Sequence, residues 1–351
     1  MRQLTFIEPG KFEWHDVPAP RISSDTDAIV RPLTVARCDL DFYIARGIAR
    51  HRGPFAFGHE TIGEVVEAGP AVPFRPGERV AVPFQLSCGR CANCQRGFTN
   101  SCSSFPFGAA YGLKATSGTE FGGALSDLIY VPFADHMLLP LPAGVDPIVA
   151  ASAPDNIADG WRAVQPHLQA RPGGSVLVVG GGENSDGLGA MSVGLYAAGA
   201  AVALMAGEVL YLDDDENRRQ RARLMGATVD RLALAEGRSA ERQFDIVVLA
   251  LGSDAALQFA IQSTGPNGVL TSVTIFLDRT NAVPLTRAYT KGLTFLTGRV
   301  NSRSVLPGVL ACIACGAFHP EHVTSRTFTF DQAADAMTEA GPKFVFCRQL
   351  R

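Results

Sequence analysis

The chain has 351 residues, 46% of them hydrophobic and 19% charged, and a formal net charge of −3. This composition excludes a disordered chain, and the small negative charge argues against a nucleic-acid or anionic-membrane surface as partner. The length suits two domains, each able to bury its own core. At the start, Met1 to Phe6 runs directly into the turn Glu8-Pro9-Gly10 with no signal-peptide pattern. The longest apolar stretch, Val193 to Ala206, is too short and too rich in Gly and Ala to span a bilayer. A soluble, cytoplasmic protein is expected.

Residues 1 to about 150 read as short strands broken by Pro and Gly, including Glu64 to Gly69 and Leu128 to Val131. Within them, Cys88, Cys91, Cys94 and Cys102 follow the spacing C-x2-C-x2-C-x7-C in a polar, turn-rich stretch. Burial of apolar side chains does not account for thiols there. Four thiolates wrapped around one ion are a common closed shell for structural zinc. A redox pair or disulfides are the alternatives, and neither suits this spacing in an intracellular chain. Just upstream, Gly58-His59-Glu60 stands at the mouth of a strand. Its bland reading is a turn with a satisfied histidine. Ahead of a cysteine lobe, His59 and Glu60 also suit a second metal site, with Cys38 and Asp155 as candidates for the missing ligands.

The texture becomes helical and alanine-rich near Pro142 to Pro147, and from Arg171 onward strands and helices alternate. That alternation predicts a doubly wound parallel sheet of the dinucleotide-binding type. Gly180-Gly181-Gly182 follows its first apolar strand, and Ser192-Val193-Gly194 opens a helix of small residues. Gly180, Gly182 and Gly194 then act as the three glycines of a phosphate-binding turn, with residues 183–190 as an extra loop; a register through Gly187 and Gly189 is the alternative. Asp213, at the end of the second strand, can accept both adenosine ribose hydroxyls. With Asp214 next and no Arg placed for a 2′-phosphate, NAD is favoured over NADP; the competing role for Asp213 is a helix N-cap.

Taken together, these residues resemble the zinc-dependent alcohol dehydrogenases of the medium-chain dehydrogenase/reductase family, over nearly the whole chain. Gly58-His59-Glu60-x2-Gly63-x5-Gly69-x2-Val72 carries the family's zinc signature. The resemblance implies an α/β fold: a GroES-like, β-rich catalytic domain over 1–152 with a zinc lobe at about 86–104, a Rossmann NAD-binding domain over 153–298, and a segment 299–351 returning to the first domain. It implies two zinc ions per chain. Cys38, His59 and Asp155 would ligate the catalytic ion, with Glu60 as an occasional fourth ligand, and Cys88, Cys91, Cys94 and Cys102 the structural one. Leu40 and Phe84 would line the substrate pocket. Asp213 and Arg218 would bracket the adenosine ribose, while Val273, Ile275 and Arg299 would lie near the nicotinamide. The implied reaction transfers hydride reversibly between an alcohol, primary or secondary and fairly apolar, and NAD, in a homodimer or homotetramer.

Three positions depart from the family pattern. Leu40 stands where a Ser or Thr usually takes the alcohol proton, and Tyr43 stands where a relay histidine is common, which leaves Asp39, Asp41, Tyr43 or water for that task. Asp159 replaces a Thr that usually touches nicotinamide and is expected to cap the helix that follows. Other readings are the same scaffold acting as an aldehyde dismutase or a polyol or sugar dehydrogenase, or a non-catalytic protein that binds nucleotide and zinc.

Overall fold

The strand Ala28–Ala36 is the spine of the first unit, with Ala28, Ile29, Val30, Leu33, Val35 and Ala36 buried. It pairs antiparallel with Glu60–Ala68 on one side and with the C-terminal strand Phe344–Cys347 on the other. The resulting seven-stranded sheet runs Arg326–Thr329, Phe344–Cys347, Ala28–Ala36, Glu60–Ala68, Arg79–Val82 and Leu139–Pro140, with Ile129–Val131 added against Ala28–Val30. The register slips between Pro32 and Thr34, where a proline cannot donate to the ladder. Beyond the slip Ala36 stands opposite Glu60. Residues just after Ala36 and just before Glu60, Cys38 and His59 among them, therefore leave the sheet at one corner. This computed structural model describes residues 1–182, 188–234, 240, 242–277 and 280–348.

Arg37 ties the returning C-terminal segment to that corner. Its guanidinium donates to the carbonyls of Met337 (3.0 Å), Glu339 (2.6 Å) and Gly341 (2.8 Å) and lies over the Phe344 ring at 4.0 Å. Burial of so polar a group is tolerated because its donors are met and its flat face stacks on an aromatic ring. The first unit comprises Met1–Ala158, Val300–Cys315 and Thr324–Arg351.

The second unit, Asp159–Arg299 with Gly316–Val323, is built on a six-stranded parallel sheet. Its order is Thr228–Arg231, Glu208–Asp213, Ser175–Val179, Phe244–Leu249, Thr264–Ser272 and Thr294–Thr297. Val176 to Val179 are completely buried, as parallel strands covered by helices on both faces require. The sheet packs Leu177, Val179, Val247, Leu249 and Leu270 against Leu257 and Ile261 of the helix Asp254–Ser263. Phe318 keeps Gly316–Val323 with this unit: it sits beside Gly199, and Arg221 donates to the His322 carbonyl at 2.9 Å.

Asp159 differs from its expected role. A π-helical turn, Ala153–Ile157, runs directly into the helix Ala158–Ala170, so Asp159 lies inside the first turn rather than at the cap. Its carboxylate accepts from Arg162 Nε at 2.5 Å. Among the described residues, no helix is long and apolar enough to cross a membrane.

Candidate metal centres and nucleotide turn

Cys38, His59, Glu60 and Asp155 converge at the sheet corner, all buried, with one ligand atom from each within 4.8 Å of the others. Gly58 has φ +86°, a left-handed turn that swings His59 inward from the apolar Phe55-Ala56-Phe57 run. His59 Nε2 lies 3.2 Å from Asp155 Oδ2, and Nδ1 faces Asp41 Oδ1 at 3.5 Å. Asp41 also accepts from the Cys38 backbone N–H at 3.1 Å, at the head of the short helix Asp39–Ala45. One carboxylate thus holds the cysteine backbone and faces the histidine ring, where outer partners of metal ligands stand.

The electrostatics fit a cation. Burial, then Asp155, pushes the Cys38 thiol well above its usual range. Burial opposes charge on His59, yet Asp41 and Asp155 prevail and raise it to about 9. Burial likewise pushes Glu60 up to about 8, so desolvation favours the protonated thiol and carboxyl, and a divalent ion reverses that balance. Cys, His and carboxylate form a donor set suited to zinc.

Sequence reading missed the shell behind these groups. Lys343 is fully buried, and its ammonium donates to Glu60 (3.1 Å), to the Arg37 carbonyl (2.8 Å) and to Asn156 Oδ1 (2.6 Å). Ser152 donates to the other Glu60 oxygen. Glu60 is thereby engaged on the side of Lys343 and Ser152. Asn156 donates through Nδ2 to Cys38 Sγ at 3.3 Å and to Asp155 Oδ2 at 3.1 Å. Asn156 is next to Asp155 in sequence, and a lysine just before the apolar strand Phe344–Cys347 is out of pattern, but neither feature states what it meets.

The remaining candidates surround this corner. Phe84 lies against His59 with ring centroids 5.3 Å apart. Leu40 is half-buried in the helix that Cys38 heads. Asp39 is buried and its backbone N–H donates to Asn156 Oδ1 at 3.4 Å. Tyr43 is buried against Phe42, with its carbonyl accepting from Ile48 and Ala49.

Cys88, Cys91, Cys94 and Cys102 also place their sulfurs within 4.8 Å of one another, without a disulfide. Backbone N–H groups point at them: Cys88 donates to Cys102 Sγ at 3.3 Å, and Arg90 and Cys91 donate to Cys88 Sγ at 3.4 Å each. Such donors favour thiolate. Hydrogen bonds from Ser103 and the Cys94 backbone bring Cys91 down to about 5, whereas burial pushes Cys94 up to about 12. An ion held by all four resolves that conflict, and the set fits structural zinc.

In the second unit, Gly180-Gly181-Gly182 follows the central strand Ser175–Val179 at the carboxyl edge of the sheet, where α/β folds take ligands. Gly194 lies in the helix Met191–Ala203, and a Cβ there would stand 3.0 Å from Ala250, so this glycine permits close helix–strand packing. Ser192 and Val193 are buried in the first turn of that helix. Asp213 is fully buried, accepting from Tyr211 Oη (2.6 Å), from Arg218 Nε and Nη2 (2.8 and 2.7 Å), and from the Asp215 backbone (2.9 Å). Burial disfavours its charge, but Arg218 and Tyr211 outweigh that and hold Asp213 below the usual carboxylate range. The helix N-cap that follows is Asp215.

Two features of this turn were not legible beforehand. Arg218 covers Gly182, so that a Cβ there would lie 2.6 Å from Nη1. Leu188–Gly189 pairs antiparallel with Leu251–Gly252, and a Cβ on Gly189 would fall 1.9 Å from the Gly181 carbonyl. The chain's own backbone thus rests on the glycine turn. Of the 183–190 loop, residues 183–187, including Gly187 of the alternative register, lie outside the described residues. Val273 is buried just past the strand Thr264–Ser272; Ile275 and Arg299 are exposed, the latter just past the strand Thr294–Thr297.

Comparison with known proteins agrees with this construction. Residues 24–143 match the model of the alcohol dehydrogenase GroES-like domain. A Mycobacterium tuberculosis protein named "Probable zinc-binding alcohol dehydrogenase" is 29% identical over 99% of this chain and 88% of its own length. Sorbitol dehydrogenase of Bacillus subtilis is 28% identical over 92% of this chain and 89% of its own. The solved alcohol dehydrogenase from Thermus sp. ATN1 superposes with a TM-score of 0.88 at 27% identity, covering 99% of this chain and 100% of that one. On sequence, fold and paired metal-ligand clusters, the chain is similar to the zinc-dependent alcohol dehydrogenases of the medium-chain dehydrogenase/reductase family, with its residues 24–143 matching their GroES-like domain.

Proposed function

We propose that the protein is a zinc-dependent dehydrogenase that interconverts a fairly apolar primary or secondary alcohol and its carbonyl, with NAD as the hydride carrier. The observation that carries this reading is the buried cluster of Cys38, His59, Glu60 and Asp155 beside Phe84. Zinc, when bound, supplies Lewis-acid polarisation of the substrate oxygen, and NAD takes or returns the hydride. Cys38, His59 and Asp155 would hold the ion, with the Asp41 carboxylate facing the histidine ring. Lys343 and Ser152 hold Glu60 in reserve. Leu40 and Phe84 wall the substrate with carbon and favour apolar alcohols over polyols. Because Leu40 cannot accept a proton, proton loss falls to Asp39, Tyr43 or water. Rates with a panel of primary, secondary, aromatic and polyol substrates test the reading; a polyol turned over faster than every apolar alcohol would contradict the substrate class.

NAD is preferred over NADP because a 2′-phosphate would meet the carboxylates of Asp213 and Asp214, and Arg218 is already engaged by both. Cofactor entry also requires Leu188–Gly189 to leave the glycine turn. Gly189→Ala, whose methyl would collide with the Gly181 carbonyl, lifts that segment and is expected to tighten NAD binding several-fold, measured by fluorescence titration. Weaker binding would show instead that the segment helps to hold the cofactor.

The strand Thr294–Thr297 supports a homodimer as the smallest assembly. It ends the sheet and leaves Phe295 and Leu296 about two-fifths exposed, which is an open apolar edge suited to a second copy. Leu296→Lys is expected to shift the protein to monomer in sedimentation velocity; an unchanged sedimentation coefficient would place the interface elsewhere.

A further inference from the structure

The buried amide of Asn156 has its full hydrogen-bonding capacity engaged. Its two N–H groups go to Cys38 Sγ (3.3 Å) and Asp155 Oδ2 (3.1 Å), and its oxygen accepts from Lys343 Nζ (2.6 Å) and the Asp39 backbone (3.4 Å). The orientation of the amide is therefore not arbitrary: Lys343 offers only protons, so Oδ1 must face it and Nδ2 must face the anionic donors. The π-helical turn Ala153–Ile157 makes this possible, because its wider winding delivers the neighbouring side chains of Asp155 and Asn156 to one site. Lys343 in turn donates to buried acceptors on Arg37, Glu60 and Asn156.

We propose that Asn156, oriented by Lys343, is a positioning residue that tunes the metal: it withdraws charge from the Cys38 thiolate and the Asp155 carboxylate and so strengthens the Lewis acidity of the ion they hold. This inference rests on the zinc-dehydrogenase reading above. Hydrogen bonds to anionic ligands orient them and set how much charge they pass to the metal. Asp41, opposite, faces the His59 ring with its carboxylate at 3.5 Å. The device answers a specific deficiency, the hydroxyl missing at Leu40: a more strongly polarised alcohol can lose its proton without that group.

The test uses the full-length protein with cobalt(II) in the Cys38 site and zinc retained in the four-cysteine lobe. In Asn156→Ala, loss of the N–H to sulfur is expected to move the sulfur-to-cobalt charge-transfer band to longer wavelength. Zinc affinity by chelator competition is expected to fall about 10–100-fold, the range for outer partners of metal ligands. The pH profile of kcat should move to higher pH. Asn156→Asp separates this role from a purely structural one. It forms an ion pair with Lys343, so thermal stability is kept, yet it sets a third carboxylate against Cys38 and Asp155 and spoils metal binding. An unshifted band with unchanged zinc affinity in both variants would overturn the proposal. Failure of the wild type to take cobalt at Cys38 would instead overturn the zinc reading on which it rests.

Discussion

Cys38→Ser lowers alcohol oxidation roughly a thousand-fold, because a Lewis acid worth several kcal/mol is removed and each 1.36 kcal/mol is tenfold in rate. Zinc content falls from two ions per chain to one, the remaining ion being held by Cys88, Cys91, Cys94 and Cys102. The fold survives, since Cys38 stands at the end of the strand Ala28–Ala36 and contributes little to the sheet itself. Circular dichroism and metal analysis on the same sample separate loss of the ion from loss of structure. A variant with one zinc and native turnover would show that the ion at this corner takes no part in the reaction.

Cys94→Ser acts on stability first. The cysteine lobe has almost no core of its own: Cys88, Cys94 and Cys102 cluster with Cys91, Phe105 and Phe133. Structural zinc holds such a lobe folded, and peptides of this kind bind the ion with about 10–16 kcal/mol at neutral pH. Losing one of four ligands is expected to release the ion, to expose residues 86–104 to limited proteolysis, and to lower the thermal midpoint by about 10 °C at 2–4 °C per kcal/mol. Protease cuts that appear only elsewhere in the chain would contradict this assignment.

Legibility from sequence followed the range of each interaction. Cys88 to Cys102 and Gly58-His59-Glu60 are local patterns whose spacing itself carries the chemistry. Cys38 joins them through a strand register, Ala36 against Glu60, that alternation alone does not state. Asp155 was one candidate ligand until family resemblance gave it the role, because a carboxylate in an alanine-rich stretch has no periodic signature. Asn156 and Lys343 are 187 residues apart and meet only in the folded chain, so nothing local to either names the other. The Rossmann-type sheet was plain from its apolar strands, yet the pairing of Leu188–Gly189 with Leu251–Gly252 was not, since two-residue strands have no period to read. Asp159 missed its expected cap because the preceding π-helical turn continues into its helix without a break.

The most direct measurement is reduced-NAD formation with an apolar alcohol by the native protein, by protein from which a chelator has stripped the Cys38-site ion alone, and by the same protein after zinc is restored. The account predicts turnover that disappears when zinc falls from two ions to one and returns with the second ion. Full turnover with one zinc per chain, or none across the alcohol panel with both in place, would contradict it.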